Sequence, residues 1–112
     1  IEDIAMGDVR DFRNFMGAVI DQRAFDRITG HIAEARTTAR VIAGGGSDAS
    51  RGYFVQPTLI ETDNPALRQL CEEIFGPVVT AYVYDDARWG ETLSLVNTTS
   101  PYVLTGAVFA QD

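Results

Sequence analysis

The sequence has 112 residues, which is enough for one compact domain and too few for two. Its hydrophobic fraction of 46% is that of a globular protein, and its net charge of -7 disfavours nucleic acid and anionic membranes, because both attract basic surfaces. With one cysteine, Cys71, and one histidine, His31, the chain offers neither an intrachain disulfide nor a multi-histidine metal site. We therefore expect a single unit over residues 1–112, without a metal, nucleic-acid partner or membrane partner.

The N-terminal region gives no targeting or membrane signal. Residues 1–3 are acidic, and no apolar run approaches the length of a membrane span. The chain does not begin with Met, so we interpret it as a piece of a longer protein.

The first clear predicted element is a helix over residues 21–38. Asp21 fits an N-cap, and apolar residues at positions 25, 28, 32 and 35 keep one helical face. Gly30 lowers the helix propensity by roughly 1 kcal/mol, so the helix should depend on packing for its stability. His31 is expected on the more solvated flank of this helix.

Two strands with a glycine-rich link are predicted next. The strands cover residues 40–43 and 53–60, and Pro57 marks an edge or a bulge in the second. The link begins with three glycines at positions 44–46, which is typical of a loop. This pattern favours a hairpin.

The second half alternates between strand and helix patterns. A short helical turn begins near Pro65 and runs to Cys71, residues 78–84 form a buried strand, and Asp85 or Asp86 caps a helix over residues 86–97. Residues 105–110 are predicted as a last buried strand. The expected fold class is α/β, with a mainly parallel sheet built from residues 53–60, 78–84 and 105–110 and flanked by the two helices.

Two candidate chemical sites have simpler structural explanations. Gly44, Gly46 and Ala49 fit a G-x-G-x-x-A pattern, but a dinucleotide fingerprint must open into a helix, and here a second strand follows. Cys71 as a nucleophile would need an activating base, yet its neighbours are carboxylates, which disfavour a thiolate, and His31 lies forty positions away. A hairpin loop and a structural thiol are therefore the favoured interpretations.

Residues 72–77, E-E-I-F-G-P, carry the most specific pattern in the chain. Two carboxylates precede an aromatic residue, a Gly-Pro break and a buried strand. The break fixes the backbone beside a strand end, where α/β proteins tend to place ligands. A carboxylate there can accept two hydrogen bonds from a ribose diol, and a flat ring can pack on a planar base. From chemistry alone, an acidic turn that resembles an N-cap explains the same residues and is favoured.

At this motif the sequence resembles the aldehyde dehydrogenase superfamily, whose signature is E-E-I-F-G-P. Residues 52–58 (G-Y-F-V-Q-P-T) and 104–109 (L-T-G-A-V-F) are similar to two further strands of that family, in the right order. Within the superfamily, residues 15–21 (F-M-G-A-V-I-D), 82–86 (Y-V-Y-D-D) and 99–102 (T-S-P-Y) resemble the 1-pyrroline-5-carboxylate dehydrogenases. Val103 departs from the pattern, because Gly or Ala is usual before the Leu.

The resemblance implies oxidation of glutamate semialdehyde, the open form of pyrroline-5-carboxylate, to glutamate with NAD, a step of proline catabolism. In such enzymes a cysteine attacks the aldehyde, a hydride passes to the nicotinamide, and water releases the acid. Carried over by position, Glu73 would bind the nicotinamide ribose hydroxyls, Phe75 would pack near the nicotinamide, and Pro77 would shape the turn.

The resemblance also implies that much of the enzyme lies elsewhere. The family's nucleophilic cysteine and its Rossmann strands precede this motif, and the loop that grips the substrate carboxylate follows it, so no catalytic residue is expected in the chain. The full-length parent would act on a small-molecule aldehyde, form a homo-oligomer, and reside in a bacterial cytoplasm or a mitochondrial matrix. The competing hypothesis is a non-catalytic α/β binding or interaction module derived from that family.

Overall fold

The computed structural model describes residues 1–102 and 104–109. Its longest element is helix α1 (Gln22–Thr38), which begins after Asp21. The Asp21 carboxylate accepts a hydrogen bond of 2.8 Å from the Ala24 amide, and so satisfies one of the amides that a first helical turn leaves unpaired. The predicted helix and its N-cap are confirmed.

Helix α1 buries one face, which includes the histidine. Its buried residues are Ala24, Ile28, His31, Ile32 and Ala35. The prediction that His31 lies on the solvated flank is wrong, since the residue is only 4% exposed. His31 is three positions after Ile28 and four before Ala35, and this spacing puts it on the same stripe as both.

Five strands form two sheets within the described part of the chain. They are β1 (Arg40–Ala43), β2 (Ser47–Asp48), β3 (Phe54–Val55), β4 (Thr58–Thr62) and β5 (Val78–Tyr82). The larger sheet has the order β1-β4-β5, in which β1 is antiparallel to β4 and β4 is parallel to β5, with Thr58 opposite Val78. The α/β class is confirmed, and the sheet is mixed, with one parallel and one antiparallel pair.

The strand predicted over residues 53–60 is divided at Pro57. Proline has no amide hydrogen to contribute to a ladder, and the chain changes partner here: β3 pairs with β2, whereas β4 pairs with β1 and β5. The antiparallel pairing of β1 with β4 confirms the predicted hairpin. Gly44 has a φ of +70° and approaches Pro57 so closely that a Cβ would overlap its carbonyl, so this turn requires glycine.

The second half follows the predicted order up to residue 99. A single helical turn, α2 (Arg68–Cys71), leads towards β5, and a 3-10 turn (Asp86–Arg88) leads into α3 (Trp89–Thr98). Asp85 is the capping aspartate, since its side chain accepts a hydrogen bond of 2.9 Å from the Ala87 amide. None of the helices in the described residues is both long and apolar enough to cross a membrane.

The last predicted strand is not formed in the residues that are described. Residues 105–109 have no strand partner there and are exposed, and a segment without a partner cannot complete a ladder of backbone hydrogen bonds. The predicted strand-helix-strand crossover is therefore not formed in this part of the chain. Ala110, the last residue of that prediction, and Val103 lie outside the described residues.

Two apolar clusters hold α1 against the strands. The first consists of Ala24, Ile28, Ile32, Val55 and Ile74, and the second of Ala35, Ile60 and Leu67. Val78 packs against both. Because Ile74 belongs to the E-E-I-F-G-P motif, the first cluster connects that motif directly to the core.

Candidate functional site

Residues 72–77 form an irregular turn between α2 and β5, here called the acidic turn. Glu72 ends α2 with an extended backbone, and the Pro77 carbonyl accepts a hydrogen bond of 2.8 Å from the Thr58 amide, at the start of the β4–β5 pairing. The turn therefore lies at the amino end of β5. Ligands of open α/β sheets usually bind beyond the carboxyl ends, so this general rule does not explain the position of the acidic turn.

Helix α1 supports the acidic turn from the core side. Ile74 is 7% exposed, and the Arg27 Nε donates a hydrogen bond of 3.3 Å to its carbonyl. Gly76 lies against the fully buried Ile28, whose Cδ1 would be 2.5 Å from a Cβ at that position. Two nearly adjacent residues of the turn are thus fixed to α1.

Phe75, between these two residues, has an unusual backbone conformation. Its φ is +53°, and its side chain is 81% exposed. Bulky residues seldom adopt positive φ, and such strain is concentrated at ligand sites. The core does not account for an exposed ring held in this way, so Phe75 is a candidate contact for a planar ligand.

The two glutamates of the turn have different environments. Glu72 accepts a hydrogen bond of 2.8 Å from the Arg68 Nε, and its Oε2 lies 3.8 Å from the His31 Nε2. The hydrogen bond from Arg68 holds the pKa of the Glu72 carboxyl below its usual range. Glu73 is exposed and forms no hydrogen bond or ion pair with the described residues. Of these two glutamates, Glu73 has the carboxylate that no described residue engages.

His31 supports the turn as a buried, neutral group. Burial lowers the pKa of its imidazole, and the nearby Arg68 cation lowers it further. Gln69 packs beside it and donates a hydrogen bond of 3.0 Å from Nε2 to the His31 carbonyl. The His31 Nδ1 and the Gln69 Oε1 are buried without a hydrogen-bond partner among the described residues.

The glycine-rich link is used for internal hydrogen bonds. The Gly45 amide donates to the Thr58 hydroxyl and the Gly46 amide donates to the Gln56 side-chain carbonyl, both at 3.0 Å. Strand β2 follows the link. The segment connects the antiparallel strands β1 and β4, as the hairpin interpretation expected, with β2 inside it; the Gly45 and Gly46 amides are already paired and no helix begins there.

Neither Cys71 nor the adjacent aspartates Asp85 and Asp86 form a second candidate site among the described residues. Cys71 is half-buried at the end of α2, with its Sγ 4.0 Å from the Pro65 carbonyl oxygen. Within residues 1–102 and 104–109, no three His, Cys, Asp or Glu side chains are grouped so that they could hold a metal ion. Three surface clefts, of about 530, 500 and 300 Å³, are lined by residues other than Glu73 and Phe75.

The roles of Glu73 and Phe75, which the family resemblance indicated, stay predictions, and the sequence did not indicate the residues that contact their turn. Arg68 and Glu72 are four positions apart, and this spacing is a local signal for an ion pair on a helical turn. The contact of Arg68 with Glu34 joins residues 34 positions apart, and the hydrogen bond from Arg27 to Ile74 joins residues 47 apart. These contacts depend on how α1 packs, which no local pattern shows.

The sheet with α1 packed on it defines an α/β domain, and its acidic turn presents a carboxylate without a partner among the described residues near an exposed ring. A model of the aldehyde dehydrogenase family matches residues 1–112. The chain belongs to the aldehyde dehydrogenase family.

Relatives and a solved structure show which members of the family this chain is similar to. The mitochondrial delta-1-pyrroline-5-carboxylate dehydrogenase of Danio rerio is 49% identical over 114 residues, which cover 99% of this chain and 20% of the relative. The Homo sapiens protein of the same name is 47% identical over 112 residues, covering 97% of this chain and 20% of the relative. The crystal structure of the delta-pyrroline-5-carboxylate dehydrogenase from Mycobacterium tuberculosis bound with NAD matches with a TM-score of 0.85 and 41% identity, over 99% of this chain and 20% of that chain. The chain thus spans about a fifth of the length of these proteins.

Proposed function

We propose that the chain is part of an NAD-dependent aldehyde dehydrogenase that oxidises glutamate semialdehyde, the open form of 1-pyrroline-5-carboxylate, to glutamate. The relatives, which are delta-1-pyrroline-5-carboxylate dehydrogenases, support the substrate, and the structure of the Mycobacterium tuberculosis relative with bound NAD supports the cofactor. The observation that carries the proposal is the free carboxylate of Glu73 on a turn fixed to the core.

In this proposal Glu73 accepts hydrogen bonds from both hydroxyls of the nicotinamide ribose. Its carboxylate has the required acceptors, and the adjacent Glu72 is engaged by Arg68. Phe75 packs near the nicotinamide ring, which agrees with its exposure and its strained backbone. NAD supplies the hydride acceptor when it is bound. The contribution of this chain is to hold the cofactor in a reactive orientation.

The remaining parts of the proposal concern the full-length protein. We propose that it acts on a small-molecule aldehyde and forms a homo-oligomer, with neither a nucleic acid nor a membrane as partner. The relatives named mitochondrial support the mitochondrial matrix for a eukaryotic protein, and the cytoplasm is proposed for a bacterial one. The nucleophile is proposed to belong to another segment, as the family resemblance implies, and Cys71 is half-buried with its Sγ 4.0 Å from the Pro65 carbonyl oxygen.

The test is Glu73→Gln in the full-length protein that contains this chain. Glutamine keeps the shape and one acceptor but loses the charge, and a hydrogen bond to a charged group contributes about 1.5–3 kcal/mol. We expect the Kd for NAD, measured by calorimetry, and the kcat/KM for NAD each to worsen by about tenfold or more. The control is Cys71→Ala, which should leave turnover nearly unchanged. Unchanged NAD binding in Glu73→Gln, or loss of turnover in Cys71→Ala, would contradict these roles.

A second measurement separates the enzyme from the alternative of a non-catalytic module. The full-length wild-type protein is incubated with pyrroline-5-carboxylate and NAD, and the formation of NADH and glutamate is followed. The proposal expects one NADH for each glutamate, because the oxidation transfers one hydride. The absence of both products from folded protein that binds NAD would favour the module.

A further inference from the structure

Arg68 connects the acidic turn to helix α1. Its Nε lies 2.8 Å from the Glu72 Oε1, and its Nη1 lies 2.9 Å from the Glu34 Oε2 on α1. These three residues are here called the Arg68 network. The two carboxylates raise the pKa of the Arg68 guanidinium above its usual value, so that the cation persists at every accessible pH.

The Arg68 network acts immediately before Glu73, where the Glu72 amide also donates a hydrogen bond of 2.9 Å to the Arg68 carbonyl at the end of α2. After Glu73, the backbone is fixed by the burial of Ile74 and its hydrogen bond from Arg27. Before Glu73, it is the Glu72 side chain that is held, by Arg68 at one oxygen and close to His31 at the other. Glu73 is thus fixed from both sides, and its own side chain remains unengaged by the described residues.

The Arg68 network engages Glu72 and leaves Glu73 unengaged, although these adjacent carboxylates have identical chemistry. A ribose diol would accept either glutamate as its hydrogen-bond partner, and two free adjacent carboxylates would repel each other. Because the Arg68 cation neutralises Glu72 and holds it towards α1, Glu73 is the acceptor of the pair that is left for a ligand.

We propose that Arg68 is a positioning residue for cofactor binding: through Glu34 and Glu72 it fixes the acidic turn so that Glu73 points to the ribose. This inference rests on the proposed role of Glu73. The Arg68 side chain is 51% exposed, so water and salt screen its ion pairs and the effect is modest. Binding of NAD should weaken without Arg68, whereas binding of the aldehyde should not.

The test compares Arg68→Met with Arg88→Met in the full-length protein. Methionine keeps most of the aliphatic stem and removes the cation. Arg88 is the matched control, because its Nε also pairs with a glutamate, at 2.9 Å from the Glu91 Oε2, but on α3. For Arg68→Met we expect the Kd for NAD, measured by calorimetry, to rise about two- to fivefold, and the KM for the aldehyde at saturating NAD and the melting temperature to stay near wild type. Arg88→Met should leave all three unchanged.

A double variant tests whether Arg68 works through α1. Glu34→Gln removes one charge of the network, and its effect on the Kd for NAD should be lost when Arg68→Met is already present, because coupled residues are not additive. Additive effects in the double variant would overturn the inference. A fall in melting temperature together with equal changes in the Kd for NAD and in the KM for the aldehyde would also overturn it. Arg68→Lys, which keeps the charge but loses the planar fork, should recover part of the affinity.

Failure of this inference can be told apart from failure of the proposed function. If Glu73→Gln weakens NAD binding while Arg68→Met and Arg88→Met both bind NAD like wild type, only the positioning role of Arg68 is overturned. If Glu73→Gln also binds NAD like wild type, the role of Glu73 itself is overturned.

Discussion

Phe75 has the strained backbone of the acidic turn, and the residues on either side hold that backbone in place. Its φ of +53° is unfavourable for a bulky side chain, and the contacts of Ile74 and Gly76 with α1 maintain it. An exposed ring with a fixed backbone can receive a planar partner at little entropic cost, since few degrees of freedom remain to be lost.

Phe75→Leu should weaken NAD binding by about two- to tenfold, because aromatic packing contributes about 0.5–1.5 kcal/mol beyond simple burial. Leucine keeps an apolar side chain at the same backbone position and removes the flat ring. The measurement is calorimetry on the full-length protein, and Phe12→Leu is the control, since Phe12 is 97% exposed and lies outside the turn. Equal affinities of the two variants would refute a ring contact.

His31 should make stability fall as the pH drops below its unfolded pKa of about 6.5. Burial lowers the folded-state pKa of its imidazole most, and the Arg68 cation lowers it further, with a smaller effect in the same direction from Arg27. The carboxylates of Glu72 and Glu34 raise this pKa, but they do not reverse the net lowering. The unfolded chain therefore binds the proton more readily, and stability is lost as the pH falls below the unfolded value of about 6.5. Glu72, whose pKa is also lowered, contributes a loss only at more acidic pH.

The measurement is the melting temperature of the full-length protein at pH 8 and at pH 5.5, for wild type and for His31→Gln. The wild type should lose more stability on acidification than the variant, because glutamine does not titrate. Other histidines of the full-length protein titrate in both and cancel in the comparison. An equal or larger loss in His31→Gln would show that the folded state binds a proton at His31 at least as well as the unfolded state does.

Replacement of glycine by alanine should have opposite effects on stability at Gly30 in α1 and at Gly76 in the acidic turn. Gly30 is exposed within α1, with no heavy atom within 4 Å of an added Cβ, so Gly30→Ala should stabilise by about 0.5–1 kcal/mol. At Gly76 an added Cβ would lie 2.5 Å from the Cδ1 of the buried Ile28, so Gly76→Ala should destabilise by about 1–3 kcal/mol. Thermal unfolding should therefore shift upwards in the first variant and downwards in the second. A shift of the same sign in both would contradict the packing described here.

Local signals in the sequence predicted most of these elements. Asp21 begins α1 and Asp85 caps the turn before α3, because each side chain bonds an amide two or three residues ahead. His31 was misplaced because a helical face is set by what packs on it, and the sequence pattern gave weight to polarity instead. Residues 105–109 have the composition of a strand, but a strand also needs a partner, and none lies among the described residues.

Some features of the candidate site could likewise be predicted from the sequence, whereas others depend on contacts between residues far apart in the chain. Resemblance indicated Glu73 and Phe75, whereas chemistry alone favoured a simple acidic turn. The ion pair of Arg68 with Glu72 has a local signal in its four-residue spacing, whereas the contacts of Glu34 with Arg68 and of His31 with Glu72 depend on the position of α1, across more than thirty residues of sequence. A contact of that separation leaves no periodic or spacing signal in a single sequence.

At the scale of the whole molecule, many large apolar side chains among the described residues are exposed to solvent. On α3, three apolar side chains recur at helical spacing and are exposed; they are Trp89, Leu93 and Val96. Phe12 and Ile20 are more than nine-tenths exposed at the other end of the described chain. Apolar patches of this kind mark surfaces that bind protein, either the rest of a larger domain or another copy.

The isolated 112-residue chain should therefore self-associate, with an average mass that rises with concentration in multi-angle light scattering. Burial of apolar surface between copies drives the association, at about 25 cal/mol for each Å² removed from water, so polar changes within one patch should oppose it. Leu93→Glu with Val96→Glu places two charges on the α3 stripe and should lower the mass at a given concentration. Ser94→Glu with Asn97→Glu adds the same charge at two other exposed positions of α3 and serves as the control, which should still associate. A monomer at every concentration would show that these surfaces do not drive association, and an equal effect of the two variants would assign the change to net charge instead of to the apolar stripe.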